Sequence, residues 1–132
     1  MSSIMRWKKS KTTVHNLSYH IIWTTKYRRD VLSNDEVSTR LKELVEEKCA
    51  ELEVEIKELS VQPEHVHLFI SASPILSVQF IVNQIKGYSS RMLRKEFPKV
   101  KSRLPSLWTR SYYVDSVGTL NEYTIRKYIN EQ

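Results

Sequence analysis

Residues 54–72 read VEIKELSVQPEHVHLFISA. Two runs rich in β-branched and large apolar residues, 54–62 and 65–72, flank Pro63 and read as strands joined by a short connection. The second run alternates. Val66, Leu68 and Ile70 fall on one face, His65, His67 and Phe69 on the other. The apolar face belongs to a core, and the same register aims two imidazoles side by side from the opposite face. Paired imidazoles make half of a metal site. For an isolated His-x-His, half-buried histidines bonded to backbone are the commoner arrangement, so a third ligand is required. His15 and His20 are both candidates, but they lie on opposite faces of one strand, so at most one joins.

Outward from this hairpin, Val14–Lys26 (VHNLSYHIIWTTK) is aromatic and β-branched and reads as a strand. Ser33–Leu52 reads as a helix, with Ser33 as N-cap and Glu36 in capping-box position. Ile75–Phe97 reads as a long helix closed by Pro98. A basic loop over 98–111 holds Trp108, and Tyr112–Val117 reads as a short strand. Thr119 and Glu122 form a second capping box, so a last helix starts after Gly118 and runs to Gln132. The order β-α-β-β-α-β-α predicts an α+β, ferredoxin-like antiparallel sheet with helices mainly on one face, in one domain over 1–132.

The net charge is +6, and it is unevenly placed. Residues 1–30 carry seven Lys/Arg and one acid, residues 31–64 four against ten, and residues 65–132 ten against four. A basic face turned to a polyanion and an acidic face turned away fit this pattern, with nucleic acid the leading partner. Lys26, Arg28, Arg29, Lys86, Arg91, Arg94 and Lys95 are the candidate phosphate ligands, and Trp108 and Tyr112 the candidate stacking residues. No apolar run approaches the ~18 residues of a membrane span, and the N-terminus has no signal-peptide core. The single cysteine, Cys49, permits no intrachain disulfide. A cytoplasmic protein, associated with the nucleoid when bound to DNA, is expected.

Tyr128 and Gln132 are four residues apart, hence on one helical face. A hydroxyl and an amide oxygen one turn apart have the reach to meet the histidine pair together.

These residues together resemble a known family. HVHLF is similar to the histidine–hydrophobe–histidine motif of HUH endonucleases. YINEQ is similar to the tyrosine motif of the single-tyrosine transposases of small insertion sequences that move as single-stranded DNA. TTKYRRDVL, IKGYSSRMLRKEFP and LWTRSYYVDSVG extend the resemblance across about Val14 to Gln132. The resemblance implies Tyr128 as nucleophile, and His65, His67 and Gln132 as ligands of Mg²⁺ or Mn²⁺. It further implies hairpin recognition at element ends, a homodimer whose active site is shared between subunits, and a mobile C-terminal helix hinged at Gly118. Gln132 is the final residue here, which sets that ligand on the last helical turn. Glu64 stands where the family commonly has aspartate and is expected beside the ligands. Gln62 is a possible auxiliary ligand. Two other readings compete: a ferredoxin-like nucleic-acid-binding module without chemistry, and a zinc hydrolase using His65, His67 and either His15 or His20.

Overall fold

The computed structural model describes residues 17–103, 106–116 and 127–132. Its elements are β1 (Leu17–Thr24), α1 (Asp35–Glu51), β2 (Glu55–Val61), β3 (His65–Ala72), α2 (Val78–Glu96), α3 (Pro98–Arg103) and β4 (Tyr113–Ser116). Two 3₁₀ turns, Lys26–Arg28 and Val31–Ser33, link β1 to α1. Residues 127–130 are helical. His15, the hinge expected at Gly118 and the capping box of Thr119 and Glu122 lie outside the described residues.

The expected strand order along the chain is present, and the four strands form one antiparallel sheet in the order β2-β3-β1-β4. Register divides its faces. Ile21 pairs with Leu68 and Tyr19 with Ile70, which puts the apolar set of β1 and β3 on one face. Val37, Leu41, Leu44 and Val45 of α1 and Ile81, Val82, Ile85 and Leu93 of α2 bury that face in a single cluster. Each fully buried Leu or Ile contributes roughly 1.5–3 kcal/mol over its exposed state, so this cluster fixes the register. On the other face, Ile22 pairs with His67 and Thr24 with His65, while Tyr113 of β4 pairs with Ile22.

Helix ends depart slightly from expectation. Asn34, not Ser33, caps α1, its side chain accepting from Val37 N at 3.1 Å. Ser33 instead donates to Asp30 O at 2.8 Å within the preceding 3₁₀ turn. Asn is as strong a cap as Ser, and from Asn34 both Asp35 and Glu36 lie in the first turn, where the helix dipole favours acids. Ser77 caps α2 by accepting from Phe80 N at 3.0 Å, so that helix begins at Val78 rather than Ile75. The expected loop after Phe97 contains α3, opened by Pro98. Proline suits a helix start because its missing N–H would have no partner there.

Trp108 differs more. It is 5% exposed, meets Trp23 edge-on at 5.8 Å, and its Nε1 donates to Ser89 Oγ at 3.1 Å. Its indole is a wall of the core and not an open platform for a base.

Candidate active site

β3 presents His65 and His67 on the face away from the helices, as its alternation requires. Glu64 Oε1 lies 3.3 Å from His65 Nδ1. A carboxylate only accepts, so Nδ1 carries the proton in this contact, and Nε2 is the nitrogen that the neutral ring would offer to a ligand. His67 Nε2 lies 3.1 Å from Nδ1 of His20, whose ring stacks flat on Phe69 at 4.2 Å. Burial, and then the neighbouring His20, push the His67 pKa down, so this imidazole is neutral at physiological pH. Of the two further histidine candidates, His20 is bonded to His67, and His15 lies outside the described residues. Among the described residues, no group of three or more His, Cys, Asp or Glu is arranged to hold a metal. The three-histidine zinc centre therefore has no support among them.

The C-terminal turn lies over the same face. The Tyr128 ring packs against Tyr113 at 5.5 Å, tilted by 47°. Ser111 Oγ donates to Gln132 Oε1 at 2.5 Å and lies 3.5 Å from Tyr128 Oη. Gln132 Nε2 donates to Tyr128 O at 3.4 Å, and Arg28 Nη1 to Asn130 Oδ1 at 3.5 Å. Ile129 is buried, as is Ile22, and neither belongs to the main core. Tyr113 pairs with Ile22 and Ile22 with His67, so the strand residue on which the Tyr128 ring packs lies two strand spacings, about 4.8 Å each, from the strand position of His67. Tyr128 and Gln132 are brought together, as are His65 and His67. The two pairs share a face, with Gln132 Oε1 engaged by Ser111.

Burial raises the Tyr128 pKa, and the Ser111 hydrogen bond opposes it. The phenol is therefore protonated at neutral pH.

Lys86 is not a surface cation. It is 9% exposed, and its Nζ donates to Thr109 O at 2.8 Å and Ser111 O at 3.0 Å. Its role in these contacts is to pin the segment that carries Ser111. A sequence signal existed: Lys86 lies four residues after Val82 and seven before Leu93, on the buried stripe of α2. Nothing in the sequence singled out Ser111.

The chain matches the family model described as "Transposase IS200 like" over residues 13–132. The ISDra2 transposase TnpA of Deinococcus radiodurans is 36% identical over 127 residues, covering 95% of this chain and 90% of that protein. This chain belongs to the IS200-like transposases. The Salmonella typhimurium transposase for insertion sequence element IS200 is also 36% identical, over 89% of this chain and 77% of that protein. A crystal structure of a Deinococcus radiodurans protein described as a transposase superposes with a TM-score of 0.86 at 36% identity, covering 94% of this chain and 96% of that one. A REP-associated tyrosine transposase solved bound to a REP hairpin shares the fold at a TM-score of 0.55 and 14% identity, over 92% of this chain and 68% of that one. Enzymes of the IS200-like family are single-strand DNA endonucleases and strand transferases, and this chain is one of them.

Apart from Lys86, the candidate phosphate ligands of this IS200-like transposase fall in two places. Arg28 and Arg29 lie on the turn after β1, with Lys26 half-buried beside them. Arg91, Arg94 and Lys95 line an open cleft of about 700 Å³ with Gly87, Ser90, Pro98 and Lys101. Gln62 is exposed and donates to Ser60 Oγ at 2.9 Å. Among the described residues, no helix is long and apolar enough to cross a membrane.

Proposed function

We propose that this transposase nicks and rejoins single-stranded DNA at hairpins near the ends of its element, through a 5′-phosphotyrosine at Tyr128. The observation that carries this reading is the placement of Tyr128 and Gln132, gathered by Ser111, over the sheet face that presents His65 and His67.

The donor set fits a divalent cation. A neutral His65 that donates to Glu64 through Nδ1 offers Nε2, His67 is neutral but its Nε2 is shared with His20, and the amide oxygen of Gln132 is a neutral third donor one turn from the phenol. His65, His67 and Gln132 would hold Mg²⁺ or Mn²⁺, which polarises a phosphate oxygen and neutralises charge developing on it. Gln132 must first leave Ser111. Glu64 acts by orienting His65.

The Tyr128 oxygen attacks phosphorus as its proton leaves. The bond from phosphorus to the 3′-oxygen breaks, and that oxygen takes a proton. The product is a phosphotyrosine on the 5′ side and a free 3′-hydroxyl. One phosphodiester replaces another, so an incoming 3′-hydroxyl reseals the strand without a nucleotide cofactor. Lys26, Arg28, Arg29, Arg91, Arg94 and Lys95 neutralise DNA phosphates. The REP hairpin bound by a relative of the same fold supports a folded hairpin as ligand. Two tyrosines from a homodimer would serve the two ends of an element, with Gly118 as the hinge that lets each tyrosine turn reach its own or its partner's histidines. The cytoplasm, with the nucleoid as substrate, is the compartment this reading requires.

The test incubates the protein with single-stranded hairpin DNA and Mg²⁺ or Mn²⁺. A covalent protein–DNA band is expected, absent in Tyr128→Phe and retained in Tyr123→Phe. Cleavage without an adduct would favour the hydrolase, and binding without cleavage the non-catalytic module.

A further inference from the structure

The turn after β1 holds a residue that folding alone does not explain. Tyr27 and its neighbour Arg28 both adopt positive φ, 59° and 51°. Left-handed backbone is uncommon for residues other than glycine, asparagine and aspartate, because Cβ crowds the backbone. Two in succession need a surrounding framework that over-determines them. The framework is present. Thr25 N donates to Glu64 O at 3.0 Å, Lys26 N to Leu107 O at 2.8 Å, Arg28 N to Thr25 O at 2.9 Å, and Thr25 Oγ1 to Arg29 O at 2.6 Å.

What the strained turn displays is an aromatic ring in water. Tyr27 is 70% exposed, so its ring adds little to the core. One cation lies by it, Lys26 Nζ at 5.5 Å from the ring centre, and the exposed Arg28 and Arg29 are the next two residues along the chain. Its location is the decisive point. At Thr25 the turn is bonded to the residue that precedes His65. At Arg28 it is bonded to Asn130, two residues from Tyr128. The turn that carries the ring is therefore tied both to the start of the histidine strand and to the tyrosine turn.

We propose that Tyr27 is the stacking platform for an unpaired DNA base beside the phosphate being cut, a role for which Trp108 is too buried. This rests on the nuclease reading for which phosphate it adjoins. A face of an unpaired base is available to any flat aromatic surface, whereas a paired base hides its faces in the duplex. The flanking cations take the phosphates on either side, and the rigid turn sets base and phosphate a fixed distance apart. Tyr27 thereby selects single strands over duplex at the cutting site.

Binding of a labelled oligothymidine strand and of a duplex of equal length, by anisotropy at fixed salt, tests this. Tyr27→Ala should weaken strand binding roughly 5- to 150-fold, the range for one lost base–aromatic stack. Duplex binding should not change. Tyr27→Phe and Tyr27→Trp should keep strand binding, because each retains a ring. Tyr27→Gly removes the ring while relieving the positive φ, so it should melt no lower than the parent yet bind strands as weakly as Tyr27→Ala. Strand binding at the parental level in both Tyr27→Ala and Tyr27→Gly overturns the inference, as does equal weakening in Tyr27→Phe. If the parent binds strands through Tyr27 but never forms the Tyr128 adduct, the nuclease reading fails and the base platform stands.

Discussion

The Ser111 hydroxyl donates to Gln132 Oε1 over 2.5 Å. That oxygen is the one proposed to face a cation, so Ser111 holds the C-terminal turn in a parked position. Deleting one such hydrogen bond costs about 1 kcal/mol, equivalent to roughly a fivefold change in local opening. Ser111→Ala should therefore speed amide exchange at Glu131 and Gln132 about fivefold. Hydrogen-exchange mass spectrometry of the 127–132 fragment reads this. Unchanged rates would assign the parking to Tyr113 and Arg28 alone.

Lys86 stands behind Ser111, and burial pulls its pKa down from 10.5 to about 8. Between these two values the unfolded chain binds more protons at this site than the folded one, so stability rises with pH there. Below pH 8 the folded state carries the full cost of the buried charge, offset in part by the carbonyls of Thr109 and Ser111. Relative to Lys86→Met, the parent should gain up to about 3 kcal/mol between pH 7.5 and 10.5. Urea unfolding of both proteins across that range measures the difference. A flat difference would mean that the carbonyls hold the ammonium at its ordinary pKa.

Protonation competes with metal binding at an imidazole. The His67 pKa lies below the usual 6.5, so acid removes this ligand only at lower pH than for a free histidine. Mn²⁺ binding, followed by electron paramagnetic resonance, should survive at pH 6.5 as far as His67 is concerned. His67→Ala and His65→Ala should each weaken it by more than about tenfold. Mn²⁺ affinity equal to the parent's in both variants would remove the metal from the proposed site.

Trp108 should report on folding. Replacing this buried indole by alanine should cost about 3–5 kcal/mol of stability. Trp108→Phe retains most of the packing but loses the bond to Ser89, and should cost about 1–2 kcal/mol. Its affinity for oligothymidine should match the parent's in anisotropy. A large loss of binding in a well-folded Trp108→Phe protein would restore the indole as a DNA contact.

The cleft of Arg91 and Arg94 gives a salt prediction. Each single-strand phosphate contact contributes about 0.7 to the slope of log affinity against log salt. Arg91→Ala with Arg94→Ala should lower that slope by about 1.4 if both meet a strand. Anisotropy titrations at several salt concentrations measure it. An unchanged slope would leave the cleft outside the DNA path.

Much of this protein was written along its chain, because alternation and helical spacing are local properties. His65–Ala72 forms as one strand, with Val66, Leu68 and Ile70 inward and both histidines outward. The pairing of Tyr128 with Gln132 follows from a helical turn alone, while the cap of α1 lies one residue beyond the expected Ser33 and the start of α2 three residues beyond Ile75, because Asn34 and Ser77 compete with near neighbours. Exposure is not local. Lys86 and Trp108 read as a cation and an aromatic ring, yet each is buried by partners more than fifteen residues away. The contact of His20 with His67 needs the β1–β3 register, and the Ser111 bond to Gln132 needs β4 to be placed beside β1. Sequence determined which groups this protein owns and which way each strand and helix turns them. Only the sheet, by setting separate strands side by side, decided which of those groups meet, which remain in water and which are enclosed.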